Sequence, residues 1–242
     1  MHIRVGVSAA VLLIGSVGCL GTAQRRPVPP PPTAVDHVIL AIDSLERGVR
    51  LLREATGLTA VFGGVHPGRG TQNALLALGS GQYLELLAPN PADPEGAEAV
   101  AEFATYRALT PVGWAARTAD AERVRAVAMA RGAPGGVVRP GARQRPDGAT
   151  LRWRTVDPWN GANDTLLPFF IEWDPASPHP SANAPPGCTL VSLTLASPAA
   201  DSIQALLRQA DLTVPVSRAP RDALTVRLRC ATGVVEFAPP AP

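Results

Sequence analysis

Lysine is absent: all 22 basic residues of the 242-residue chain are arginine. A Schiff-base lysine and a phosphate-loop lysine are therefore excluded outright. Charge is also scarce, at 17% of residues, and nearly balanced, at +2. So small an excess points to neither nucleic acid nor an acidic partner. There is no Ser-His-Asp signature, dinucleotide-binding glycine loop, Walker motif or Cys-x-x-Cys pair. The apolar run Val5 to Val17 is short for a membrane span. What remains is a chain with 46% hydrophobic residues, long enough for one large or two small globular domains.

The first residues predict export. "MHIRVGVSAAVLLIGSVGCLGTAQ" carries one early Arg, an apolar run and then small residues, the pattern of a secretory signal over residues 1–23. Gly15 to Cys19 resembles a bacterial lipobox, departing from it at Ser16. In that reading Cys19 is lipidated and anchors the protein to the cell envelope; cleavage after Ala23, giving a periplasmic or secreted form, stays open. The Pro-rich stretch 24–34 reads as a stiff spacer.

From Val35 the pattern repeats. "VDHVILAI" reads as a strand, Asp43 or Ser44 caps a helix ending near Gly57, and three strands follow at Thr59–Val65, Thr71–Leu78 and Gln82–Ala88. A second copy runs from Val112 through a helix capped by Asp120 to "TLRWRTV" and "LPFFIEWD". A third begins at Cys188. This predicts an α+β protein of three βαβββ modules, with a two-module domain over 35–174 and a third module over 187–238. The last strand of each copy holds one Glu between apolar residues: Glu85, Glu172 and Glu236. Alternation puts each opposite its apolar neighbours, which predicts that the Glu residues, with Arg152 and Arg154, line the concave face of a cup-shaped mixed sheet around a cavity. For Glu236, with Arg227 and Arg229 on the adjoining strand, a cross-strand ion pair is the simpler expectation.

The segments "VDHVILAI", "HPGRGTQNALLALGSGQYLELLAP" and "LPFFIEWD" resemble the glyoxalase-like domain group of the vicinal oxygen chelate superfamily. The resemblance covers roughly Val35 to Asp174. In metal-dependent members, ligands come from the first and last strands of each module. Carried over, this implies His37, Glu85 and Glu172 as ligands, while the remaining place falls on or beside Trp114, which cannot ligate. Two carboxylates and one imidazole would suit Mn, Fe, Ni or Zn. Glu172 or Glu85 is then the candidate general base. Trp114, Arg152, Arg154, Asn73 and His66 are candidates for touching the substrate, and His179 is a second rim histidine. The implied function is binding of a small oxygen-rich metabolite, with metal-assisted lyase or isomerase chemistry. The alternative is a non-catalytic binding or sequestering protein. No nucleic acid is expected, and a membrane is expected only through the lipid anchor. The third module packs on the first two or on its twin in a homodimer. Cys188 and Cys230 pair only if no strand separates them.

Overall fold

The computed structural model describes residues 34–240 apart from residues 80, 94, 95 and 146; the signal segment and Cys19 lie outside the described residues. The elements are β1 (Val35–Ala41), α1 (Leu45–Thr56), β2 (Val61–His66), β3 (Thr71–Ala77), β4 (Tyr83–Pro89), α2 (Gly96–Phe103), β5 (Thr110–Arg117), α3 (Ala121–Ala130), β6 (Arg139–Gln144), β7 (Thr150–Val156), β8 (Phe169–Trp173), a 3-10 turn at Pro180–Ala182, β9 (Cys188–Ser197), α4 (Ala200–Gln209), β10 (Val216–Arg218), β11 (Ala223–Cys230) and β12 (Gly233–Phe237). Helix α2 is an addition to the expected elements, built from the Ala- and Glu-rich "GAEAVAEF", which favours helix. No helix among the described residues is long and apolar enough to cross a membrane.

The first two modules share one eight-stranded sheet, in the order β2-β3-β4-β1-β5-β8-β7-β6. Its centre is the antiparallel seam between β1 and β5, where His37 lies beside Ala115 and Val38 beside Trp114. On one face Val38, Leu40, Leu84, Leu86 and Trp114 are wholly buried in the main core, under helices such as α1. That helix is set by Ser44, whose side chain accepts from the Arg47 N–H, and is ended by Gly57 at φ 76°, a left-handed cap that suits glycine. The other face is concave. The sheet curls until its edges β2 and β6 meet: a Cβ at Gly64 would lie 2.8 Å from the Gln144 carbonyl oxygen.

The third unit keeps the β-α-β-β-β order along the chain but pairs its strands differently. Its separate sheet runs β10-β9-β11-β12, with β9 next to β11, whereas each half of the cup places its third and fourth strands between its first and second. Cys188 and Cys230 are therefore directly opposed, with Cα atoms 4.2 Å apart, and form a disulfide. Arg227 and Glu236 are also opposed and ion-paired at 2.6 Å. The unit packs on the cup within the same chain. Leu190, Leu193 and Ile203 join the main core, and Thr232 Oγ1 donates to the Ala55 carbonyl at 3.1 Å.

The Pro-rich segment 174–187 is a structural strap. It crosses the concave face, tied by Ala77 N–H to the Pro185 carbonyl at 3.0 Å. Ala184 is buried there with Leu75, Ala77 and Tyr83, and Trp173 packs against them.

Candidate functional site

Three of the chain's four histidines and two acids form a line across the concave face. β1 and β4 run parallel with His37 beside Tyr83 and Ile39 beside Glu85, so all four side chains face the cup. A bulge between Val35 and His37 makes Asp36 an extra residue opposite β5 and turns its carboxylate inward, as bulges re-aim side chains. The line runs from His179 Nε2 to Asp36 Oδ2 (3.1 Å), from Asp36 Oδ1 to His37 Nδ1 (2.9 Å), from His37 Nε2 to Glu85 Oε2 (3.6 Å), and from Glu85 Oε1 to His66 Nε2 (3.6 Å). It ends at Thr71, whose hydroxyl lies 2.9 Å from His66 Nδ1. The His37 ring stacks on Tyr83 at 4.5 Å, and Phe169 meets it edge-on.

Asp36 is fully buried, yet well satisfied. It accepts from His37, His179, Arg117 Nε (3.1 Å) and Trp173 Nε1 (3.3 Å). Burial pushes its carboxyl up, but the hydrogen bonds from His179 and His37 outweigh that and hold it far below the usual range. By accepting the Nδ1 proton of His37, Asp36 sets that ring's tautomer and leaves Nε2 facing Glu85. Glu85 is 8% exposed. Burial raises its pKa, and the opposing pull of His66, His37, the Asn73 amide and Arg143 brings it below the ordinary value. Asn73 links two charges: its Nδ2 donates to Glu85 Oε1 at 2.5 Å, and its Oδ1 accepts from Arg143 Nη1 at 2.7 Å. Burial lowers the pKa of His66, Glu85 opposes, and Arg143 adds to the lowering. The result is an ionised carboxylate between two imidazoles, with a fixed guanidinium charge beyond the amide. Gly63 leaves room for this, because a Cβ there would strike Asn73 Oδ1 and Arg143 Nη1.

The two halves of the cup are related by a pseudo-twofold axis at the β1–β5 seam, but their chemistry differs. In the first half His37 lies level with Tyr83, two residues before Glu85. In the second half Ala115 lies level with Phe169, two residues before Ile171. At the outer edges His66 opposite Thr71 corresponds to Arg143 opposite Leu151. Two of the four ligand places implied by the superfamily are thus Ala115 and Ile171. The two Glu85 oxygens face different imidazoles, and Arg143 brings positive charge. Among the described residues no group of three or more His, Cys, Asp or Glu is placed to hold a metal ion. This donor set does not fit a resident divalent metal.

The expected ligand and base Glu172 lies elsewhere. Opposite Arg154 in register, it sits on the helix side of the sheet, ion-paired to Arg154 Nη2 at 2.6 Å and accepting from the Ala121 N–H at the start of α3. The phase of β8 is one residue off the expected one: Phe169, Ile171 and Trp173 face the cup. Arg152 and Arg154 point away for the same reason, since Leu151 and Trp153 take the concave face of β7. Trp114 is core, with its indole N–H donating to the Leu166 carbonyl at 3.0 Å, and offers no wall to a ligand. His37, Glu85, Asn73 and His66 do converge. Reading the sequence alone misses Asp36 and Arg143 as site residues; the Asp-His tandem is the one local signal for the first.

A family model for the glyoxalase-like domain matches residues 35–210, and the chain belongs to this family, within the vicinal oxygen chelate superfamily. The match reaches past α4, into the third unit. Among solved structures, a hypothetical protein from Staphylococcus aureus is 17% identical over 84% of each chain, with a TM-score of 0.53. Methylmalonyl-CoA epimerase from Mycobacterium tuberculosis is 22% identical over 64% of this chain and 96% of its own, with a TM-score of 0.40. A mutant 4-hydroxymandelate synthase from Streptomyces coelicolor is 15% identical over 87% of this chain and 63% of its own, with a TM-score of 0.47. At these identities the likeness speaks to the fold alone. No curated protein matches the chain.

Proposed function

We propose that the cup binds a small oxygen-rich metabolite and that Glu85 moves a proton on it, in lyase- or isomerase-type chemistry without a resident metal. One observation carries this: a buried carboxylate is held ionised, with an imidazole nitrogen 3.6 Å from each of its oxygens. An ionised Glu85 takes a proton from carbon next to a carbonyl, and His37 or His66 can receive it or return it. Distances of this length suit a site without substrate, since catalytic hydrogen bonds tighten when the complex forms. Asp36 keeps His37 in the orientation this requires.

The test is solvent deuterium exchange. The protein in D2O is given a panel of 2-oxo acids, hydroxyketones and 1,3-dicarbonyls, and NMR follows the carbon-bound proton. At least one compound exchanges, and Glu85→Gln lowers its rate by about a hundredfold or more. Exchange at an equal rate in the variant refutes the role of Glu85. Binding without exchange across the panel instead supports a non-catalytic binding or sequestering protein, a reading favoured by the apolar second half of the cup.

We also place the domain in the bacterial cell envelope. The support is the signal pattern of residues 1–23 together with the Cys188–Cys230 disulfide, which suits an oxidising compartment. If Cys19 is the lipid attachment point, Cys19→Ala moves the protein out of the membrane fraction. An unchanged membrane-bound mature form removes the lipoprotein assignment.

A further inference from the structure

A cavity of about 210 Å³ lies beside the acid–base line, between the closing edges β2 and β6 and the 174–187 strap. At about 30 Å³ per water-sized group it has room for roughly seven non-hydrogen atoms. Its walls are mostly apolar, with Phe62, Leu75, Leu151, Pro180 and Ala184 among them, and Arg143 is set into one side. A plain hydrocarbon would fit the walls and leave the guanidinium unanswered.

Arg143 is the informative group. It is 5% exposed, and the one hydrogen bond of its side chain among the described residues goes to a neutral acceptor, Asn73 Oδ1. No carboxylate among the described residues lies within ion-pairing distance of it. A guanidinium offers five N–H donors in a planar fork that matches the two oxygens of a carboxylate. The other charges at the cavity cancel, because Arg145 is paired with Asp147 at 2.8 Å. One positive charge is left over. Glu85, on the far side of Asn73, opposes a second negative charge on whatever enters.

We propose that this cavity is a pocket for a short monocarboxylic acid, its carboxylate on Arg143 and its chain against Leu75, Leu151 and Ala184. The proposal rests on the reading of the cup as a small-molecule site and deepens it by naming the class of ligand. It does not depend on Glu85 acting as a base. An acid of about five to seven non-hydrogen atoms fills the space. A dicarboxylate meets Glu85, and inorganic phosphate leaves the apolar walls bare.

Calorimetric titration of the full-length protein with butyrate, valerate, butyramide, succinate and inorganic phosphate, at matched ionic strength, tests this. Butyrate or valerate binds saturably, and butyramide, succinate and phosphate bind at least about tenfold more weakly, as loss of a charge-assisted hydrogen bond implies. Arg143→Met weakens the acid by about tenfold or more. Ala184→Phe fills the cavity from the strap without touching the charge and also abolishes binding, so the inference stays testable if the Arg143 variant misfolds. Glu85→Gln retains or tightens butyrate binding while losing deuterium exchange, which separates this inference from the acid–base reading. Equal binding of acid and amide, undiminished binding in Arg143→Met or Ala184→Phe, preference for phosphate, or no saturable binding of either monocarboxylate overturns it.

Discussion

Asp36→Asn strikes the point where β1, β5, β8 and the strap are joined. The carboxylate accepts from His37, His179, Arg117 and Trp173 and is 0% exposed. An asparagine keeps one acceptor oxygen and turns the other into a donor, so donors on that side lose their partner. The Arg117 side chain is 40% exposed, and water replaces most of what it loses. The two imidazole contacts are less accessible, and charge-assisted hydrogen bonds of this kind are worth about 1.5–3 kcal/mol each. The expected loss is about 3–5 kcal/mol, the range for breaking a buried charged pair. In urea, with a slope near ~2 kcal/mol per molar, the unfolding midpoint falls by about 1.5–2.5 M. Limited proteolysis gives a second reading, because the strap loses its His179 tether and cleavage within 174–187 accelerates. The sign with pH is fixed too. A depressed carboxyl contributes stability above its unfolded value of 3.8 and loses it as pH falls further, so the gap between wild type and variant closes in strong acid. A midpoint shift under about 0.5 M, or a strap as protected as in wild type, refutes the assignment of Asp36 as the hub.

Acidification gives another test. His66 has a folded pKa below 6.5, so the unfolded chain takes up its proton first and stability falls as pH drops through 6.5. Glu85, depressed below 4.5, extends the loss into the acid range. Thermal unfolding from pH 8 to pH 4 shows the decline, His66→Gln flattens its upper part, and a melting temperature that rises from pH 7 to pH 5 contradicts it. Removing the disulfide with Cys188→Ser and Cys230→Ser costs about 2–4 kcal/mol in denaturant unfolding; an unchanged midpoint shows that the bridge adds nothing. Glu172→Gln leaves deuterium exchange at the wild-type rate, since the residue lies on the helix side of the sheet, and a loss comparable to that of Glu85→Gln contradicts its placement.

How far the site could be read from sequence depended on whether each strand carries its own phase. In "YLELLAP" the one charged residue is flanked by residues that belong to the core, and Glu85 falls where alternation puts it. In "FFIEW" Phe169, Ile171 and Trp173 form one face and Phe170 with Glu172 the other, so both faces carry large apolar residues and alternation cannot say which set points inward. That choice is made by pairing with β5 and β7, a long-range matter that misplaced Glu172, Arg152 and Arg154 together. Arg143 lies in "RPGARQ", whose Pro and Gly obscure a strand, and in a chain whose basic residues are all Arg no single one stands out. The bulge that turns Asp36 inward depends on register with β5. The third unit shows the same division. Its element order is local and was legible, while its strand order, and with it the adjacency of Cys188 and Cys230, is set by pairing between distant segments. The strap was hidden by composition, because its Pro-rich sequence carries neither a helix nor a strand pattern, and what fixes it is a distant donor, the Ala77 N–H on the Pro185 carbonyl.

The unequal halves of the cup have a stereochemical consequence. A container with true twofold symmetry presents the same groups to a guest and to that guest turned through half a revolution, so it cannot tell its two ends apart. Here Glu85 and His37 have Ile171 and Ala115 as their counterparts across the seam, and His66 has Arg143. A molecule entering the cup would meet the Glu85 carboxylate on one side only, with the Arg143 guanidinium on one flank. Two mirror-image guests anchored through the same group would then present opposite faces to Glu85. Relaxing the twofold likeness between duplicated halves gives the cup a direction, so that one end of a guest meets different chemistry from the other.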